Sequence, residues 1–394
     1  MTSTAEGLTA GEPGLLNRSF VLLWVGSLAF YGSFQLLLTA LPLYAVGLGA
    51  SAAQIGLIIG LFAAAAMVAR LPVGLLLDTR GRVPVLVAGA AIFALSSAGY
   101  AFAATVAILL AIRLLHGVGM ASFNTAGSTL AVDVAPPNLR GTALSLNTAA
   151  ALIASGIGPA VGVALALALG YSTLFAVSAG FALAALSLCV MIREPHRAHH
   201  GAAGRRSLRG TFQRKVVRPG VVLLCLQFTY GAVVSFIPLL AVQRGLENPG
   251  LFFTAYAVAS VCAQAIAGQV SDRLGRKAAI VPGLALVALG LLAASTLGGW
   301  SLLIAAVIYG AGFGATQPSL FALGGDIARP AERGAAMATL GLFLELGISS
   351  GAIAAGFLAG PIGLSTTFVA FAGVALIGLV LAVTMRTAPV HARA

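Results

Sequence analysis

Charge is what this chain has least of: only 8% of its 394 residues are charged, ten of them acidic against 22 Lys and Arg. A soluble domain carries roughly 25%, so an ordinary water-facing surface is excluded. Cysteine is almost absent, and Cys189, Cys225 and Cys262 fall in apolar segments without paired spacing. That speaks against a disulfide framework or a metal site and leaves them as small packing residues. No G-x-x-x-x-G-K-[ST] loop occurs, so direct ATP hydrolysis is not expected. A short leader is missing as well: Arg18 precedes a long apolar segment, which is expected to remain as a span.

What is abundant is apolar surface, 59% of residues with a mean hydropathy of +1.03, together with 49 glycines. Glycine lets helices in lipid pack backbone to backbone. A span needs ~20 apolar residues, and division at charges and turn residues predicts twelve. They lie near 19–46, 54–77, 83–103, 105–133, 140–167, 171–192, 219–242, 250–270, 278–297, 299–327, 334–361 and 364–385. Taking the amino terminus as cytoplasmic puts eleven basic residues of loops and tails inside, with eight more in the 193–218 connector. Of the 22, Arg244 is left outside and Arg70 and Arg113 within spans. The positive-inside rule therefore orients the chain. The net charge of +12 marks a face near anionic lipid and requires no nucleic acid. The connector reads as a cytoplasmic linker between a first bundle, 1–192, and a second, 219–394. Its His196, His199 and His200 read as solvated side chains rather than metal ligands.

An internal repeat supports the division. Gly74-Leu-Leu-Leu-Asp78-Thr-Arg-Gly81-Arg82 recurs as Gly268-Gln-Val-Ser-Asp272-Arg-Leu-Gly275-Arg276, offset by 194. Asp133 through Gly141 recurs as Asp326 through Gly334 at 193, and Pro42 as Pro238 at 196. Repeats of this size signal a transporter built from two similar halves. The Gly74–Arg82 stretch and its copy resemble the loop signature G-x-L-a-D-r-x-G-r of the major facilitator superfamily, and motifs and repeat together cover nearly the whole chain. The resemblance implies a charge latch that holds the cytoplasmic side closed when the carrier faces outward. Asp78, Arg82, Asp133, Asp272, Arg276 and Asp326 would belong to it, with Arg140 and Arg333 as candidate partners of Asp78 and Asp272. Thr79 stands where the family usually has a basic residue, which implies a weaker first copy.

Span 4 carries Arg113-Leu-Leu-His116-Gly117-Val-Gly119, similar to the R-x-x-q-G-x-g motif of proton-coupled carriers in that superfamily. A charged Arg costs at least ~2.5 kcal/mol at the bilayer centre, which argues for function or pairing; bonding to helix carbonyls is the alternative. His116, one turn along, could relay protons or simply pack. Span 5 holds Gly158-Pro159-Ala-Val-Gly162, a partial match to a signature associated with antiporters. Gly158 and Gly162 also have the spacing of a close helix contact, and Pro159 frees backbone acceptors. Arg70 in span 2 either snorkels to the headgroups or lines the cavity.

Glu345 is the only acidic residue deep within an apolar span, ~16 Å from the cytoplasmic end of span 11 at helical rise. Ionising a carboxyl there is costly, which suits it to carry a proton; a neutral, hydrogen-bonded Glu is the bland alternative. Tyr31, Phe34, Gln35, Asn124, Asn147, Gln227, Tyr230 and Gln264 form a candidate cavity lining, because polar groups in lipid-embedded helices prefer the bundle interior. The expectation is thus an all-α membrane protein, twelve transmembrane helices in two six-helix bundles, and not an enzyme. It would need no cofactor or metal. Resemblance and residues together imply a monomeric secondary transporter of a small organic solute, partnered by protons and lipid. It would be a proton-coupled exporter in a bacterial cytoplasmic membrane, with both termini cytoplasmic. The alternative is a proton symporter or facilitator that imports a sugar or small organic acid.

Overall fold

The computed structural model describes residues 15–194, 212–329 and 332–385. His196, His199 and His200, most of the expected linker, Arg386 and Arg393 lie outside the described residues. Twelve long helices account for nearly all the rest, and among the described residues there is no strand. They are α1 (Arg18–Gly47), α2 (Ala52–Arg80), α3 (Arg82–Gly99), α4 (Val106–Asp133), α5 (Arg140–Leu169) and α6 (Tyr171–Val190). After the connector come α7 (Val217–Gln243), α8 (Gly250–Leu274), α9 (Lys277–Thr296), α10 (Leu302–Ile327), α11 (Arg333–Ile362) and α12 (Leu364–Thr384). All twelve are long and apolar enough to cross a membrane.

Local chemistry sets several helix starts. Asn17 Oδ1 accepts from the Phe20 amide at 2.9 Å, Ser51 and Gln54 cap each other's backbone, and Thr105 Oγ1 accepts from the Ile108 amide. Thr105 thereby divides the long apolar stretch around Ala104, just after a short 3-10 turn at Tyr100–Phe102. The repeat reaches the backbone. Glycines with positive φ occur in pairs at Gly49 and Gly245 (77° and 80°), Gly81 and Gly275 (99° and 93°), and Gly170 and Gly363 (84° and 79°). L side chains avoid that region, so three turns of the first half are rebuilt in the second.

In the first half α1 packs on α5 and α6, α2 on α4, and α3 on α4 and α6; in the second α7 packs on α11 and α12, α10 on α8 and α9, and α9 on α12. Across the halves, α2 meets α11 and α5 meets α8. These crossings are tight away from the basic loops. There Gly56 abuts the backbone of Ala352 and Gly356, and Ser349 Oγ donates to the Gly60 carbonyl at 2.9 Å. Gly250 abuts Pro159 and Ala160, and Asn248 Nδ2 donates to the Ala160 carbonyl at 3.0 Å. At the basic end Gly74, Gly141, Gly268 and Gly334, one each on α2, α5, α8 and α11, face open space, and Leu75 is 69% exposed. The two halves therefore touch at one end of the membrane and part at the other.

Candidate functional site

Arg70 and Glu345 meet where α2 and α11 begin to part. Arg70 Nη2 donates to Glu345 Oε1 at 2.5 Å, joining the two halves by an ion pair near mid-span. The Glu345 side chain is only 11% exposed and that of Arg70 35%, so the pair sits at the inner boundary of the opened cleft. Such a pair in a low dielectric is held by its Coulomb energy and loses it when the carboxylate takes a proton. Arg70 Nε is buried without a partner, and Tyr31 of α1 lies within electrostatic reach of the guanidinium.

Arg113 is placed elsewhere. It is 1% exposed, donates Nε to the Ile58 carbonyl at 2.9 Å and lies with Cζ 4.5 Å from the centre of the Phe62 ring. His116 is fully buried among Phe34, Phe62 and Phe93, with Nδ1 2.8 Å from the Tyr100 hydroxyl. Arg113 Nη1 and His116 Nε2 have no partner. The sequence left Arg113 between an ionic or functional partner and helix carbonyls; it bonds a carbonyl, and the guanidinium beside Glu345 is that of Arg70. Helix α4 packs on α2 and α3, which turns Arg113 into the first half.

A cavity of about 240 Å3 opens between α1, α5, α7, α8 and α10, lined by Gln35, Ser155, Tyr230, Tyr256, Gln264 and Gln317 among others. A second space shares Gln264 with it and runs down α8 and α10 to Asp272 and Arg276. Of the expected lining, Gln35, Tyr230 and Gln264 border the first cavity, while Gln227 reaches it through its 3.1 Å bond to Gln317. Asn147 does not line it: the side chain is buried and takes the Ser27 hydroxyl at 3.0 Å, tying α5 to α1. Phe34 stacks on Phe62 in the first half, and Asn124 is half-buried in α4. Gly158 and Gly162 press on Gln35 and Leu36 of α1, and the Pro159 carbonyl faces Gly250. Tyr256, Phe313 and Gln317 were missed in the sequence; Gln317 could have been found by the rule that selected Gln227.

The basic-end loops form one ionic cluster in each half. Arg82 Nε binds Asp133 at 2.8 Å, and Arg276 Nε binds Asp326 at 2.8 Å while its Nη1 holds Asp272 at 2.6 Å. The hydrogen bond that Arg276 donates to Asp326, reinforced by that to Asp272, holds the guanidinium pKa above its usual value. Arg140 and Arg333, the partners suggested by the sequence, are exposed at the first residues of α5 and α11, and Asp78 is exposed at the end of α2. Asp272 is held by Arg276 instead, and Arg82 and Arg276 take Asp133 and Asp326. A further carboxylate, unremarked in the sequence, joins the first loop: Glu194 accepts from the Arg82 amide at 2.8 Å and the Val83 amide at 2.6 Å. No group of three or more metal-ligating side chains occurs among the described residues.

Two duplicated six-helix halves around a central cleft open to one face define a membrane transporter rather than an enzyme. Residues 23–252 and 247–394 match the sequence profile of the Major Facilitator Superfamily, and the chain belongs to that family. The uncharacterized MFS-type transporter YhhS of Escherichia coli is 27% identical over 394 residues, 96% of either chain. The multi-drug resistance efflux pump PmrA homolog of Lactococcus lactis is 27% identical over 282 residues, 68% of this chain and 69% of the relative. An MFS-type transporter of Methanocaldococcus jannaschii is 30% identical over 153 residues, 39% of this chain, and there the match spans only 40% of the relative. In fold, the nucleoside transporter NupG superposes with a TM-score of 0.77 at 14% identity, covering 94% of this chain and all of that one. A bacterial homolog of the human lysosomal transporter Spinster, in an inward-facing and occupied conformation, gives 0.77 at 18% identity, covering 92% and 95%.

Proposed function

We propose that this chain is a proton-coupled exporter that exchanges a small organic solute for protons by alternating access, with Glu345 as the proton carrier and Arg70 as its ionic partner. The observation that carries the reading is the Arg70–Glu345 pair, which links the halves at the apex of the cleft. A carboxyl that loses its partner on protonation couples proton loading to the contact between α2 and α11, the element that must move. Export is supported by kinship with a relative named as an efflux pump.

The basic loops lie on the cytoplasmic side by the positive-inside rule, which makes the described conformation inward-open and puts both termini in the cytoplasm of a bacterial inner membrane. The first bundle comprises 1–192, the cytoplasmic linker 193–218 and the second bundle 219–394, and the monomer is the working unit. In the inward-open state the loop clusters around Arg82 and Arg276 serve as the resting form of the family's latch. Arg113 and His116 form a buried polar cluster behind the cleft, from which His116 can pass a proton only through Tyr100 or its free Nε2.

The test is an efflux screen in everted membrane vesicles, with and without an imposed pH gradient, followed by Glu345→Gln in proteoliposomes. Gln keeps size and hydrogen bonding but cannot titrate. The variant is expected to lose gradient-driven uphill transport while downhill exchange at equal pH persists. Full pH-driven accumulation by Glu345→Gln overturns the assignment, and solute uptake rather than efflux along an inward proton gradient overturns the direction.

A further inference from the structure

We infer that the transported solute is an uncharged molecule with a flat ring and N–H or O–H donors, bound against Tyr230, Tyr256 and Phe313; this rests on the transporter reading and names the solute class of its cavity. No Asp, Glu, Lys, Arg or His lines the 240 Å3 chamber. A charged solute would give up its hydration there without a counter-charge, at a cost that an uncharged one avoids. The nearest intramembrane charges do not favour a cation. Arg70 and Arg113 stand against Glu345 alone, and Glu345 is already engaged by Arg70.

Tyr230, Tyr256 and Phe313 form one aromatic wall, with ring centres 5.1 Å (Tyr230 to Phe313), 5.6 Å (Tyr256 to Phe313) and 6.0 Å (Tyr230 to Tyr256) apart. Rings so grouped offer faces and edges to a further flat ring. Beside them the unmet hydrogen-bonding capacity is on acceptors. Gln35 Oε1 and Gln227 Oε1 are buried without a partner, and Gln35 lines the chamber while Gln227 is bonded to Gln317 in its wall. An orphaned buried acceptor is costly, and an amide that turns into the chamber to meet a solute donor removes that cost.

The charge balance has a consequence. Exchange of one neutral solute outward for one proton inward moves one net positive charge inward per cycle. Transport is then electrogenic and is accelerated by an inside-negative potential, whereas exchange of a monovalent cation for a proton would be insensitive to it.

The experiment uses the full chain in lipid nanodiscs and three probes on one ring: 2-naphthamide, 2-naphthoate and 2-naphthylmethylammonium, followed by their own fluorescence. The amide is expected to bind about tenfold tighter than either charged probe, and Gln317→Leu to weaken it by about tenfold. Gln317→Glu adds a carboxylate to the wall and is expected to reverse the ranking in favour of the ammonium probe, which keeps the test decisive even if Gln317→Leu fails to fold. Equal or tighter binding of a charged probe to the wild-type chain, or no amide binding up to its solubility limit, overturns the inference. A preference for the amide together with pH-driven transport by Glu345→Gln would sink the coupling assignment alone. Loss of that transport together with a preference for the ammonium probe would sink the solute class alone.

Discussion

At the first turn of α3, both oxygens of Glu194 accept backbone amides that the helix itself cannot satisfy, those of Arg82 and Val83. The carboxylate also meets the positive end of the helix dipole. It reaches across from four residues beyond the end of α6, so one side chain ties the α2–α3 turn to the start of the connector. Gly81 has to be glycine there on two counts: its φ is 99°, and a Cβ would press on the Glu194 carboxylate. Glu194→Ala is expected to cost ~1 kcal/mol at this helix start. Faster hydrogen exchange of the Arg82 and Val83 amides, with the rest of α3 unchanged, is the measurement; unaltered exchange would remove Glu194 from this role. Arg244 does the corresponding work at the opposite face, where its guanidinium takes the carbonyls of Ser295 and Leu297 at the end of α9 and the Ser365 hydroxyl at 2.7 Å. That explains why a lone basic residue is kept on the side with least positive charge.

Helix α5 shows how a signature can be a packing device. Its Gly158 and Gly162 face α1 so closely that a Cβ on Gly162 would overlap the Leu36 carbonyl, and Asn147 bonds Ser27 about three turns below Gly158. Towards the second half, α5 meets α8 through Gly156 against Ala257 and through Pro159 and Ala160 against Gly250. So the motif holds α5 to α1 as one rigid unit while Pro159 sits at the contact that alternating access has to break. Gly162→Val is expected to cost ~1–3 kcal/mol by forcing α1 and α5 apart. Gly141→Val, on the same helix but facing open space, should leave stability unchanged. Thermal unfolding of the two purified variants checks this: equal midpoints would mean that the α1–α5 contact is looser than described.

For the molecule as a whole, the proposed alternating access requires the sealed end to open once per cycle. Ala53 and Gly356 lie on facing turns of α2 and α11 there, with a Cβ on Gly356 only 3.2 Å from the Ala53 Cα. In a background with the exposed Cys262 replaced by Ser, the pair Ala53→Cys and Gly356→Cys is expected to cross-link on mild oxidation. Asn138→Cys with Arg329→Cys, in exposed loops of the two halves at the open end, should not. The first cross-link should stop transport and release it on reduction. Undiminished transport with the sealed end locked would refute alternation about this seam.

The number of spans, the duplication and the side on which the basic loops gather are legible in the sequence, because they depend on quantities that are local or periodic. A span is recognisable by ~20 apolar residues, and a repeat by motifs such as Asp133 through Gly141 and Asp326 through Gly334. Glu345 and Arg70 could each be singled out by the cost of a charge in lipid. Which guanidinium meets that carboxylate could not. Arg70 and Glu345 are 275 residues apart, and their meeting depends on how α2 crosses α11. The same holds for Asn147, chosen as a cavity residue by its polarity and found facing Ser27, since a sequence shows that a side chain is polar but not which neighbour its helix rotation presents to it. The aromatic wall of Tyr256 and Phe313 emerged only when α8 and α10 were packed together, because an aromatic ring in an apolar span costs nothing that would mark it out. Tertiary packing decided which end is open: the contacts of Gly56, Gly250 and Gly356 and the hydrogen bonds of Ser349 and Asn248 close one end, and neither the length nor the composition of any span records them.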